Sequence, residues 1–166
     1  MITIRLANPN DATVLAKLRY EFRSTTDSDK EDKREFLARC ERWMRERLQQ
    51  TSWRCWVAEE DETIAGALWL QIIEKIPNPT SEAEFHGYIT NVFVHEAARR
   101  QGIGSRLLDE AISFCKQKPV HAVILWPSER SRSLYERHGF SVRTDLLELL
   151  MFDMRLSCRE VPDTNR

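Results

Sequence analysis

The segment Val92-Phe93-Val94-His95-Glu96-Ala97-Ala98-Arg99-Arg100-Gln101-Gly102-Ile103-Gly104-Ser105 runs from an apolar strand, through a basic turn, into a helix. Ile103, Leu107, Leu108, Ala111, Ile112 and Cys115 follow at helical spacing and form one apolar face. Glycine accepts φ > 0 and carries no Cβ, so Gly102 and Gly104 let consecutive N–H groups turn toward one point. A helix N-terminus adds unpaired N–H donors and the positive end of the dipole. Such a loop cradles an anion, and Arg99 and Arg100 supply charge-assisted donors suited to phosphate. Two phosphate motifs do not fit. G-x-G-x-x-G needs a third glycine where Leu107 stands, and a Walker A loop needs Lys-Ser/Thr where the chain has Ser105-Arg106. A turn merely eased by glycine is the bland alternative.

Outward from this segment, strands and helices interleave. Ile2, Ile4 and Leu6 alternate with polar residues as in a half-buried strand, and Asn8-Pro9-Asn10-Asp11 ends it. Asp11 is the expected N-cap of a helix carrying Val14, Leu15, Leu18 and Phe22. A second helix places Phe36, Leu37, Cys40, Trp43, Met44 and Leu48 on one stripe. Residues 53–59 and 63–74 read as strands joined at Glu60-Asp61-Glu62, and 85–94 as a third β segment after Asn78-Pro79. Residues 121–125 read as a short strand, 128–137 as a short helix closed by His138-Gly139, and 140–156 as two more strands. Gly66 and Gly87 read only as strand breaks. The pattern predicts one α/β (α+β) domain over residues 1–156, with a polar tail over 157–166.

Composition narrows the function classes. The 166 residues are 42% hydrophobic, and 25 basic against 26 acidic side chains leave a net charge of −1. That balance argues against a nucleic-acid binder, which carries a basic excess. No apolar run reaches the ~20 residues of a membrane span, and the N-terminus has no signal-peptide core. Cys40, Cys55, Cys115 and Cys158 are isolated and read as reduced apolar residues in a cytoplasmic protein. His86, His95, His121 and His138 show no ligand spacing, so no metal is expected.

A second motif lies downstream: Trp126-Pro127-Ser128-Glu129-Arg130-Ser131-Arg132-Ser133-Leu134-Tyr135-Glu136-Arg137-His138-Gly139-Phe140. Together the two resemble the GNAT superfamily of N-acetyltransferases. Arg99-x-x-Gly102-x-Gly104 is similar to that family's R/Q-x-x-G-x-G/A loop, and Tyr135 to Phe140 to its Y-x-x-x-G-F ending. The resemblance implies a mixed, largely antiparallel, splayed sheet of about seven strands flanked by about four helices. It implies acetyl-CoA as cosubstrate, with its pyrophosphate in a cradle that starts at Arg99 and Arg100 and whose donors are the N–H groups of Gln101, Gly102, Ile103, Gly104 and Ser105. Val92, Phe93 and Val94 would pair edge-on with the pantetheine arm, and Ser128 is a weaker contact to it. Tyr135 falls where the family often keeps the general acid that protonates the departing thiolate. The implied reaction is direct attack of a primary amine through a tetrahedral intermediate.

The resemblance has departures. The family often has an acidic residue on the strand at 85–94, where this chain has Tyr88, Thr90 and Asn91. The general base is therefore open, with Glu84, His86 and Glu74 as candidates beside ordered water. Ser128 and Ser131 stand where the family often has Asn and Ala. The missing acid also leaves room for a non-catalytic CoA-binding sensor or interaction domain. Trp126 is a candidate wall of the acceptor pocket. The acidic stretch Asp27, Asp29, Glu31 and Asp32 reads either as bait for a cationic amine or as a solvated helix start. Exposed strand edges suit a homodimer, and the acceptor amine is unnamed by any motif.

Overall fold

The computed structural model describes residues 1–23, 32–79 and 83–149. In chain order they form β1 (Thr3–Leu6), α1 (Ala12–Arg23), α2 (Lys33–Arg47), β2 (Trp53–Glu60), β3 (Thr63–Glu74), β4 (Phe85–Val94), α3 (Ile103–Lys116), β5 (Val120–Ile124) and α4 (Arg132–Arg137). The sheet order is β1-β2-β3-β4-β5. All neighbours are antiparallel except β4 and β5, which run parallel with α3 as their crossover. The mixed, largely antiparallel sheet and the four helices match the expected architecture, with five strands among the described residues instead of about seven.

Both faces of the sheet are covered, which explains the nearly continuous apolar runs in β2 and β3. Side chains alternate across a strand. Cys55, Val57, Ala67 and Trp69 therefore join Leu15, Leu18 and Met44 under α1 and α2. Trp56, Ala58, Leu68 and Leu70 join Ile103, Leu107, Leu108 and Ala111 under α3. The α3 stripe read from the sequence is the buried face of that helix, with Ile112 half-buried at its margin.

The β3–β4 register shifts once. Ala67 pairs Phe93 but Trp69 pairs Thr90, so β4 carries one extra residue there. Asn91 sits in that bulge at φ +52°, a left-handed conformation asparagine tolerates better than most residues. An extra residue reverses which face the following side chains take. Ile89 accordingly packs under α3, while Phe93 packs under α1 and α2.

Several expectations need correction. Asp11 is not the cap of α1. Asn8 caps a short 3-10 turn over Pro9–Asp11, and the Asp11 carboxylate accepts from the Asn8 N–H at 2.7 Å, forming a capping box. The Asn-Pro-Asn-Asp run holds two strong cap residues, and the 3-10 turn ahead of the helix selects the earlier one. Gly66 and Gly87 do not break strands; both lie buried within paired strands. At Gly66 a Cβ would come 2.9 Å from the Phe93 carbonyl oxygen, so the close approach of β3 to the bulged strand requires glycine there.

Residues 140–149 contain no strand. Their apolar side chains Val142, Leu146, Leu147 and Leu149 are exposed, so this run lacks the paired edge and covered face a strand needs. Residues 150–156 of the same expectation, together with Cys158, lie outside the described residues. So do Asp27, Asp29 and Glu31. Asp32 is described, and it is a helix cap: its carboxylate accepts from the N–H groups of Arg34 and Glu35.

Candidate active site

β4 and β5 stay paired only from Phe85 to Tyr88, where Tyr88 meets Ile124; β4 then runs on to Val94 paired with β3 alone, its other edge free. The sheet opens there. A cleft of about 720 Å³ fills the opening. One wall is the free edge of β4, another the turn before α3, and a third the segment leading into α4.

The turn before α3 has the geometry of an anion cradle. Arg100 and Gly102 take left-handed φ values of +65° and +73°. Gly102 is the N-cap of α3, no side chain caps it, and a Cβ there would meet nothing within 4 Å. The first helical hydrogen bond runs from Arg106 N–H to Gly102 O at 3.1 Å. The N–H groups of Ile103, Gly104 and Ser105 are thus not consumed within the helix. Arg99 is anchored: its Nε donates to the Val94 carbonyl at 3.1 Å, which ties the turn to the strand end. Arg100 stays exposed beside the cleft.

The α4 segment is docked against this helix start. A Cβ on Gly104 would lie 3.4 Å from a methyl of Leu134, and Tyr135 is 8% exposed. Burial pushes the Tyr135 phenol above its ordinary value, and a hydrogen bond with Ser131 opposes that shift. Ser131 Oγ in turn lies 2.9 Å from Ser128 Oγ. The two serines that depart from the expected pattern thus hydrogen-bond to each other on the cleft wall, beside the buried phenol.

Of the residues named from the sequence, Val92–Val94, Arg99, Arg100, Gly102 to Ser105, Ser128 and Tyr135 line the one cleft. Gln101 is exposed next to it but does not line it. Trp126 lines it too, 57% exposed and edge-on to Tyr88 at 5.1 Å. Glu84, His86 and Glu74 do not. Glu74 pairs Phe85 at the opposite end of β4, and His86 stacks edge-on against His121. Sequence reasoning missed Arg19 and Arg23 on α1 and Arg130 and Arg137 around α4, all in the cleft wall. The signal lay in the helical spacing of Arg19 and Arg23, next to the apolar stripe of α1. With Arg99 and Arg100 they make the lining strongly cationic. Among the described residues no Asp, Glu, His or Cys lines the cleft, and no group of three or more His, Cys, Asp or Glu could hold a metal. No described helix is long and apolar enough to cross a membrane.

The sequence profile of the Acetyltransferase (GNAT) family matches residues 15–140, spanning both motifs. The chain belongs to that family. Solved structures agree on the fold. A predicted acetyltransferase from Clostridium acetobutylicum, solved with acetyl-CoA, has a TM-score of 0.77 at 24% identity, over 91% of this chain and 97% of that one. A GCN5-related N-acetyltransferase from Ralstonia eutropha JMP134 has 0.74 at 24%, over 90% and 99%. A ribosomal-protein-alanine N-acetyltransferase from Brucella melitensis biovar Abortus 2308 has 0.65 at 19%, over 92% and 99%. This GNAT protein is an acetyltransferase that draws on acetyl-CoA. Its donor set fits that cosubstrate: unconsumed N–H groups at a helix start and several guanidinium groups suit a pyrophosphate, and a free strand edge suits an amide-bearing arm.

Proposed function

We propose that this GNAT protein moves the acetyl group of acetyl-CoA to a primary amine by direct attack, with Tyr135 as general acid. The observation that carries the reading is the buried Tyr135 phenol, lining the same cleft as the open N-terminus of α3. Attack forms the C–N bond and expels CoA as a thiolate. A thiol near pKa 8.5 and a phenol near 10 are close enough for the phenol to protonate that leaving group. The burial that raises the Tyr135 pKa keeps its proton in place at neutral pH. In this reading the cradle from Arg99 to Ser105 holds the pyrophosphate, Val92–Val94 hydrogen-bond the pantetheine arm, and Ser128 touches it.

The amine must lose a proton first. A lysine-like amine lies about 3.4 units above pH 7, a penalty of about 4.6 kcal/mol. No carboxylate or imidazole of the described residues lines the cleft to take it. The arginines provide another means, because neighbouring positive charge disfavours the ammonium form and lowers the amine pKa. Water then accepts the proton. A covalent cysteine route is not supported: Cys115 is buried away from the cleft, and burial pushes its thiol up to about 11.

Turnover of acetyl-CoA with a panel of primary amines tests the reading. Tyr135→Phe should lower kcat about a hundredfold while leaving acetyl-CoA affinity unchanged, and unaltered turnover would remove the acid. Gly102→Glu should abolish acetyl-CoA binding; retained affinity would remove the cradle. The lack of a carboxylate in the cleft also favours a second reading, a CoA-binding sensor. That protein would bind acetyl-CoA with Gly102-dependent affinity yet consume none with any amine.

A further inference from the structure

Arg19 is a half-buried cation whose one hydrogen-bond acceptor among the described residues is neutral. It projects from α1 into the cleft. Its Nη1 donates to Asn91 Oδ1 at 2.9 Å, and its guanidinium carbon lies 5.8 Å from the Phe22 ring centroid. A guanidinium has five N–H donors, and Asn91 is a neutral acceptor. No described carboxylate comes within ion-pair distance. Other part-buried arginines do meet carboxylates: Arg5 pairs with both Asp11 and Glu59, and Arg45 with Glu41 at 2.7 Å. Desolvation holds the Arg19 pKa below its ordinary value, and Arg23 one turn on adds repulsion.

Taking a guanidinium partly out of water without an anion is costly, and a charge so held favours any carboxylate that reaches it. The arrangement is built rather than incidental. Asn91 occupies the β4 bulge in a left-handed conformation, and this aims its side chain at Arg19. The bulge lies just beyond the last β4–β5 pair, and Tyr88 and Trp126 line the same end of the cleft.

We propose that Arg19 binds a carboxylate of the acceptor, so that the acceptor is a small amino acid: a primary amine and a carboxylate in one molecule. The carboxylate docks on the free N–H groups of Arg19, with Asn91 as the positioning residue, and the amine is directed toward the free edge of β4. The arginine-lined cleft disfavours polycationic acceptors such as polyamines for the same electrostatic reason. This assignment rests on the acetyl-transfer reading above and narrows it to a substrate class.

The experiment compares acceptors matched except for charge: the proteinogenic L-amino acids, β-alanine and 4-aminobutyrate against their carboxamides, with release of CoA thiol as the readout. Wild type should favour at least one free acid over its amide by about thirtyfold in kcat/KM, the effect of a charge-assisted hydrogen bond, chiefly through KM. Arg19→Met should abolish that preference without changing the KM for acetyl-CoA, and Arg19→Lys should restore part of it. Equal use of acids and amides by wild type overturns the assignment while leaving acetyl transfer intact, and needs no folded variant. If no amine is acetylated, calorimetric titration of the same acids into CoA-saturated protein decides. Binding that vanishes in Arg19→Met upholds the carboxylate site and removes the catalytic reading; absence of binding removes both.

Discussion

Arg100 separates fold from function at a single position. It sits at φ +65° immediately before Gln101-Gly102, a conformation costing a residue with a Cβ about 1–2 kcal/mol. Its side chain is exposed beside the cleft, so the strain serves the turn and the charge rather than packing. Arg100→Gly should raise unfolding stability by about 0.5–1 kcal/mol and weaken acetyl-CoA binding, as denaturant titration and a binding isotherm would show together. Tyr135 makes a second prediction. Its folded pKa is raised by burial, so kcat should hold on the alkaline side until the pH passes about 10 and fall only above that. The limb should vanish in Tyr135→Phe; a fall near pH 8 in wild type would point to another acid. The residues of the cleft were not equally visible beforehand. Tyr135 stood in a recognisable motif, whereas Arg19 and Asn91 meet only because a bulge joins residues far apart in sequence.

At the scale of elements, the chain was most legible where periodicity was long and punctuation clear. β3 runs over Thr63–Glu74 as its pattern predicts, and α3 begins at the glycine turn with its apolar stripe buried. Legibility failed where tertiary partners decide. Nothing local shows that β4 gains an extra residue, or that Val142, Leu146 and Leu147 find no strand partner among the described residues. The entry into α1 failed for a subtler reason: Asn8 and Asp11 are both good caps, and the choice depends on Arg5. Its guanidinium grips both Asp11 oxygens, at 2.9 and 3.0 Å, and also Glu59 on β2. This pairing joins β1, β2 and the start of α1, and it holds the Asp11 carboxyl below its ordinary value near 3.8. Asp11→Ala should therefore cost about 3 kcal/mol at neutral pH, combining a lost capping-box partner with a broken, partly buried ion pair. A depressed carboxyl pKa stabilises the fold above the unfolded value, and that contribution is lost as pH falls through the folded one. The gap between variant and wild type should thus be full at pH 7 and shrink below about pH 4. A gap independent of pH would assign the loss to packing alone.

Across the whole molecule, net charge and local charge point in different directions. The chain as a whole carries −1, which gave no hint of a polyanion partner. The cleft gathers Arg19, Arg23, Arg99, Arg100, Arg130 and Arg137 from three separate segments, with no carboxylate of the described residues lining it. Folding therefore segregates charge that composition averages away. Acetyl-CoA carries its phosphates at one end and its thioester at the other, so the arginines of the α3 turn and around α4, unlike Arg19, should act mainly on the phosphate end. Exposed guanidinium groups are screened by salt, with a Debye length of about 10 Å at 0.1 M. The acetyl-CoA dissociation constant should rise about tenfold between roughly 0.05 and 0.5 M salt. The KM of a truncated acetyl thioester lacking phosphates should stay flat over the same range. Arg130→Gln combined with Arg137→Gln should flatten the salt dependence for acetyl-CoA and leave the truncated donor untouched. If full-length and truncated donors share one salt dependence, the arginines of the cleft act on the acceptor or on stability, and the phosphate end is held by backbone N–H groups alone.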